Sequence, residues 1–421
     1  MTVERIGTAV IGGGQAGLTM SHALTRCGLP HLVLERHRIA ERWRTERWDS
    51  LRFQFPNWAL RLPDFPYAGN EPDAYAPRDE VVRFIEDYAD FIGAPVRTGV
   101  EVRALRRAPD GMWFRLDTGD AAIEAANVVI ATGPYQRPAI PAAASGLGLV
   151  FQTTASAYRA PSGLPSGAVL VVGAGASGCQ IAEELLRSGR TVFLSVGPHR
   201  RIPRRHRSRD IIWWIAELGL DDRIADAHAT RQAPLLISGA YGGRTVDLRA
   251  FAAAGMVLLG RLLDARDGIA SFAPDLAANL AGGDESLAGF IRTADAHAAR
   301  AGLALPEDTE PVERCAEPRA AIETLDLRAA GIAAVIWATG YRYDFGWVGL
   351  DVFGPAGAST PGDPPARAPI HRRGVTAVPG AYFLGLPLLH KTKSSFLSGV
   401  GEDAAHLAER IAERMGGGFG A

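Results

Sequence analysis

The amino-acid sequence contains one local pattern twice, and this repetition restricts the fold more than any other feature of the chain. The first copy opens with Thr8-Ala-Val-Ile11, an apolar run suited to a strand buried on both faces. It continues through Gly12-Gly-Gly14-Gln15-Ala16-Gly17 into helix-forming residues as far as Arg26. Gly28 stops that helix, and His31-Leu-Val-Leu-Glu35 supplies a second buried strand, completing a βαβ unit of about 30 residues. The second copy repeats the order: Ala168-Val-Leu-Val-Val172, Gly173-Ala-Gly175-Ala176-Ser177-Gly178, a helix to Arg187, Gly189, and a strand from Thr191 to Ser195. Each copy is answered later by a strand that ends in Ala-Thr-Gly, once at Ala131-Thr132-Gly133 and once at Ala338-Thr339-Gly340.

A strand that runs into a tight glycine turn and then a helix aims unpaired backbone N–H groups and the positive helix end at one point, where a diphosphate fits. In such a turn the first glycine permits the corner, the second lets phosphate approach the backbone, and the third lets helix and strand pack closely. Glu35, with Arg36 beside it, ends the first unit's second strand and is placed to accept hydrogen bonds from a ribose. The second unit ends instead in Ser195 and is followed by His199-Arg200-Arg201 and Arg204-Arg205. An acid there would repel a 2′-phosphate, whereas arginines bind one, so NADPH is favoured over NADH. A solvated basic loop, or a basic patch for nucleic acid, is the alternative reading of the same arginines.

The expected fold is α/β, with two Rossmann-like dinucleotide-binding domains, the second inserted in the first. Residues 1–155 form the first part of one domain, 156–325 the inserted domain and 326–421 the remainder, with Pro134, Pro138, Pro141 and Pro161 marking the first crossing. A helix over residues 79–92 carries Val81, Phe84, Ile85, Tyr88, Phe91 and Ile92 on one stripe, and residues 100–123 read as a small antiparallel meander. Residues 220–314 read as helices and loops added to the inserted domain. A final helix runs from about Ser398 to Met415.

Composition narrows the function from the other side. The 45 basic and 46 acidic side chains leave a formal net charge of −1, so no global field gathers nucleic acid or an anionic membrane. Cys27, Cys179 and Cys315 form neither a redox pair nor a disulfide framework, which fits a reducing cytoplasm. The apolar segment 251–263 is interrupted and too short to span a bilayer, and no Cys/His spacing suggests a metal. Composition thus points to no nucleic-acid or membrane partner; the small organic molecule and O2 expected as partners are implied only by the resemblance described next. The residues leave the oligomeric state open, a homodimer included.

The two glycine motifs and the two Ala-Thr-Gly turns together resemble the class B flavin-dependent monooxygenases over nearly the whole chain. That resemblance implies FAD at the first turn and NADPH at the second, with reduced flavin reacting with oxygen at C4a and one oxygen atom passing to the substrate. It further implies that Trp43-Arg44 and Trp48-Asp-Ser50-Leu-Arg52 line the flavin. The amide that contacts the reacting flavin edge is Gln54, with Asn57 as second choice, and His390 is a candidate proton-transfer group ahead of the last helix. One position departs from the family pattern: Thr154 stands where a histidine tied to productive oxygenation is expected. That departure keeps open an NADPH oxidase or flavin reductase that inserts no oxygen. A non-catalytic nucleotide-binding redox regulator is the third reading.

Overall fold

The computed structural model describes residues 3–119, 121–224, 233–308, 322–355 and 368–416. In the first βαβ unit, β1 (Glu4–Ile11) pairs in parallel with β2 (His31–Glu35), and α1 (Gln15–Arg26) crosses between them. Gly28, at φ +67°, ends α1, and Leu29 N–H reaches back to Leu24 C=O. The second unit is built the same way from β8 (Ala168–Val172), α3 (Ala176–Arg187) and β9 (Val192–Ser195). Gly189 has φ +84°, and Arg190 N–H reaches Leu185 C=O. The repetition seen in sequence therefore extends to how each helix ends.

The first sheet adds β3 (Val96–Thr98) outside β2. On the other side of β1 come β6 (Ala122–Ile130), β5 (Phe114–Asp117) and β4 (Ala104–Arg107), the last three forming the expected antiparallel meander. A late strand, β15 (Ala381–Phe383), returns to pair with Val128–Ile130. One core joins this sheet to α1, to α2 (Arg78–Phe91) and to α6 (Val400–Gly416), whose Val400, Ala404, Leu407 and Ile411 are fully buried. Phe91, expected on the buried stripe of α2, is 55% exposed, because the helix ends there and its ring meets only Phe65, 5.1 Å away.

The second sheet is parallel throughout, in the order β7 (Phe151–Thr154), β14 (Ile332–Trp337), β8, β9 and β10 (Val257–Leu259). Separate apolar clusters cover its two faces, which explains why Ala168–Val172 is apolar at every position. Residues 151–154 and 332–337 thus sit in the second sheet, outside the 156–325 span expected for the inserted domain. They lie there because β8 needs a parallel neighbour on its free edge, and the chain supplies it from both sides of the insertion. The added region also contains a 26-residue helix, α5 (Leu276–Ala301), and a three-stranded antiparallel sheet of β11 (Leu262–Arg266), β12 (Ile269–Phe272) and β13 (Thr324–Asp326). The loop 354–369 and Cys315 fall mostly or wholly outside the described residues.

Candidate active site

Both glycine turns open into one cleft of about 2040 Å³, and both Ala-Thr-Gly turns line it. At the first corner Gly12 has φ +115°, and a Cβ there would stand 2.7 Å from Ala131 C=O. A Cβ on Gly17 would stand 1.8 Å from Gly12 C=O. Gly14, the N-cap of α1, has nothing within 4 Å of where its Cβ would be. No side chain caps α1 and no acid occupies its first turn, so the helix end faces open space able to receive a diphosphate. Gln15, Ala16 and Arg36 also line the cleft. Glu35 Oε2 accepts from Gly13 N–H at 2.7 Å and Oε1 from His37 N–H at 2.9 Å, which holds the carboxylate at the cleft wall.

The second corner repeats this geometry: Gly173 at φ +104°, a Cβ 2.6 Å from Ala338 C=O, and Gly178 1.8 Å from Gly173 C=O. Gly175 caps α3 without a side chain, and Ala176 and Ser177 line the cleft. Beyond the strand the two corners part. Ser195 lines the cleft but is buried, its Oγ already engaged, donating to Gly260 C=O at 2.9 Å and accepting from Leu262 N–H at 3.1 Å. Arg200 is exposed and is not among the lining residues, but its Nε donates at 3.0 Å to the carbonyl of Ala233, which does line the cleft. Arg201 is buried and lies outside the cleft lining, bound to Asp284 at 2.9 Å and to Asp247.

Between the corners lies the segment 43–57. Trp43, Trp48, Gln54, Phe53 and Phe55 face the cleft, and Phe55 meets Phe396 edge-on at 5.2 Å. Arg44, expected from the resemblance to line the flavin, does not line the cleft: its guanidinium is drawn to Glu86 on α2. Asn57 is buried outside the cleft, its amide donating to Glu71 C=O at 2.9 Å and towards the Tyr67 hydroxyl at 3.3 Å, so of the two amides only Gln54 reaches the site. His390 also stands outside, with Nδ1 3.8 Å from Asp403 on α6. The residues after it do reach in: Ser395, Phe396 and Leu397 line the cleft, and Ser395 C=O accepts from Gln15 Nε2 at 2.8 Å. Thr154 lines the cleft with its hydroxyl 3.0 Å from that of Ser156.

Two contributions were not read from the sequence. Arg47 lies over both Trp43 and Tyr135, 5.5 Å from each ring, across the cleft floor, and nothing in the local pattern announces a cation between aromatic rings so far apart in the chain. Phe396 joins the wall from the C-terminal segment. Its signal was present as an isolated aromatic ahead of the last helix. Cys179 lies behind the second corner with its thiol pushed up to about 12 by burial, far from thiolate chemistry. Among the described residues no group of three or more His, Cys, Asp or Glu is placed to hold a metal ion. No helix there is long and apolar enough to cross a membrane.

Residues 9–217 match the pyridine nucleotide-disulphide oxidoreductase family. An uncharacterized oxidoreductase, CzcO-like, from Geobacillus kaustophilus is 32% identical over 408 residues, covering 96% of this chain and 97% of that protein. The indole-3-pyruvate monooxygenase YUCCA1 of Oryza sativa is 33% identical over 189 residues, 44% of this chain and 46% of its own. The chain belongs to the CzcO-like oxidoreductases, in keeping with its resemblance to the class B flavin-dependent monooxygenases. Solved structures share the fold: a flavin-containing monooxygenase from Stenotrophomonas maltophilia superposes with a TM-score of 0.63 at 19% identity, covering 98% of this chain and all of that one. A structure of OTEMO in complex with FAD and NADP gives 0.52 at 16% identity, covering 98% and 86%. The chain is an oxidoreductase with two dinucleotide-binding domains, and it shares its fold with a structure that holds FAD and NADP. The space beside Gly14, and that beside Gly175 with Pro234 at 3.8 Å, leaves room for a diphosphate at each helix N-terminus.

Proposed function

We propose that the chain is an NADPH-dependent monooxygenase that places one atom of O2 in a small organic substrate. The observation that carries this reading is the single cleft shared by both glycine corners, with an aromatic wall and the Gln54 amide between them. Bound FAD supplies the acceptor for the NADPH hydride and the reduced ring at which O2 is activated. The Gly12–Gly17 corner and Glu35 hold the FAD diphosphate and ribose, and the Gly173–Gly178 corner holds that of NADPH, with Arg200 at the 2′-phosphate. Gln54 donates to the reacting flavin edge. Phe53, Phe55 and Phe396 shed water from the space around it, which strengthens that hydrogen bond.

The overall change is NADPH + H⁺ + O2 + substrate giving NADP⁺, water and oxygenated substrate. The test is turnover under ¹⁸O2 with a panel of one sulfide, one tertiary amine and one cyclic ketone, read by product mass and by H2O2 yield. One labelled atom in product with little H2O2 supports the proposal. Thr154 favours the second reading, an NADPH oxidase, because its hydroxyl is short and already engaged with Ser156, so it brings no ring nitrogen into the cleft. One H2O2 per NADPH, with unlabelled substrate across the panel, decides for that reading.

A further inference from the structure

The segment that carries Gln54 belongs to the first unit, yet it is fastened from the second. Glu184, on α3 behind the second glycine corner, accepts from Ser50 Oγ at 2.6 Å and from Tyr158 OH at 2.8 Å, and Asp49 N–H donates to Arg159 C=O at 2.9 Å. At the other end stands Arg204, only 3% exposed. Its guanidinium binds Asp210 Oδ2 at 2.8 and 3.0 Å, donates to the Tyr75 hydroxyl at 2.9 Å and lies over the Tyr75 ring at 4.3 Å. The same group donates to Ser238 C=O at 3.2 Å and to Gln54 C=O at 2.7 Å.

A buried cation is costly unless its hydrogen bonds are satisfied, and its best-attested use is to specify one geometry among several. Here the satisfied set spans both units: Arg204, Asp210 and Ser238 come from the inserted unit, Tyr75 and Gln54 from the first. The approach is close throughout, since Gly239 packs against Phe53 C=O where a Cβ would stand at 1.9 Å. Gln180 of α3 holds the neighbouring Ile237 C=O at 3.1 Å, which ties this knot to the helix of the second corner. Only a planar fork can serve Gln54, Ser238, Tyr75 and Asp210 together, so lysine, though equally charged, cannot replace the full set.

We propose that Arg204 is a positioning residue that, by gripping the Gln54 carbonyl, fixes the register in which the Gln54 side chain faces the flavin. This rests on the reading of Gln54 given above. The experiment uses NADPH-reduced holoenzyme mixed with O2 in the absence of substrate, where the two electrons of the reduced flavin pass to O2 and two protons complete H2O2. Gln54→Ala is expected to raise the rate of H2O2 release about tenfold, the scale of losing one net hydrogen bond. Arg204→Lys is expected to raise it severalfold while FAD stays bound, and to add nothing further in the Gln54→Ala background.

A wild-type rate in Arg204→Lys, or independent effects in the double variant, overturns the proposal while leaving Gln54 in its role. An unchanged rate in Gln54→Ala removes Gln54 from the flavin edge, and the Arg204 proposal with it. Should Arg204→Lys come out without flavin, Tyr75→Phe takes its place, because it loosens the guanidinium without removing its charge partner. A rise that vanishes in the Gln54→Ala background supports the proposal, and an unchanged rate overturns it.

Discussion

The two glycine corners of this chain agree to about a tenth of an ångström in their tightest approaches and differ in everything beyond the second strand. In both, the third glycine stands where a Cβ would be 1.8 Å from the first glycine's carbonyl, and the first glycine lies against the alanine of an Ala-Thr-Gly turn. On the reading proposed above, the shared corner geometry receives a diphosphate and no more, while the choice of nucleotide is made further along. Breaking each corner in turn should therefore give opposite defects. Gly17→Ala forces its helix off Gly12, and the protein is expected to lose FAD affinity by about 10²-fold and to purify pale, a loss of the size caused by an ångström of misplacement. Gly178→Ala is expected to stay yellow and lose NADPH affinity by about as much, measured by the NADPH concentration needed to bleach the flavin.

Beyond the strands, the same residue type can serve either packing or recognition, and on the proposed reading arginines 200 and 201 divide between the two. Arg201 is buried against Asp247, whose other oxygen caps the helix Leu248–Ala253, and against the half-exposed Asp284. Arg201→Met should lower stability by about 2 kcal/mol, discounted from the cost of a fully buried pair because Asp284 keeps solvent and Arg249, with the NADPH-to-NADH preference unchanged. Arg200→Ala should do the reverse: an unaltered melting temperature and a KM for NADPH raised about tenfold, with that for NADH barely moved. At the first corner the matching substitution is Glu35→Gln, expected to weaken FAD about tenfold through lost charge-assisted acceptance. An equal rise for NADPH and NADH in Arg200→Ala would take that residue off the 2′-phosphate and leave the second corner without an assigned reader.

What sequence could and could not reveal follows the same division. The corners were legible because strand, glycine spacing and helix are fixed by backbone sterics, and those depend on neighbours a few residues away. The meander at 104–130 and the helix at 78–91 were legible for the same reason, each carrying its own periodicity and turns. Sheet membership of 151–154 and 332–337 was not, because pairing with β8 is decided by partners far along the chain. The long helix α5 stayed hidden because Gly282 and Gly283 interrupt its pattern, yet Gly283 is where His199 packs, its Nε2 2.5 Å from where a Cβ would be. Nor could a run of arginines say which guanidinium meets an aspartate, since Asp247 and Asp284 arrive from 46 and 83 residues away. Of the three residues named for chemistry, Gln54 lines the cleft while Asn57 and His390 do not, a matter of where a loop turns and not of which residue types it holds.

The smallest expected effect concerns two histidines, one beside each unit's helix, that respond to acid in the same direction. His31 Nδ1 donates to Leu29 C=O at 2.9 Å and its Nε2 faces Ser21 Oγ at 2.8 Å. His199 Nδ1 donates to Gly197 C=O at 3.1 Å with its other face against Gly283. Both are held below the ordinary value of 6.5, chiefly because burial disfavours the charged ring. Below that value the unfolded chain takes up protons that the folded chain refuses, so stability falls as pH drops from about 6.5 toward the lowered folded values, and nothing from these groups is lost above it. The loss steepens as pH falls below 6.5, each histidine contributing at most about 1.4 kcal/mol per pH unit. Carboxylates such as Asp64, held low by His22 and Arg26, enter only in stronger acid. Urea unfolding across this range should show the slope halved by either His31→Gln or His199→Gln. If acid acts through each unit separately, His199→Gln flattens the pH dependence of NADPH affinity while that of FAD is left as it was. A common flattening of both would mean that the two corners open as one body.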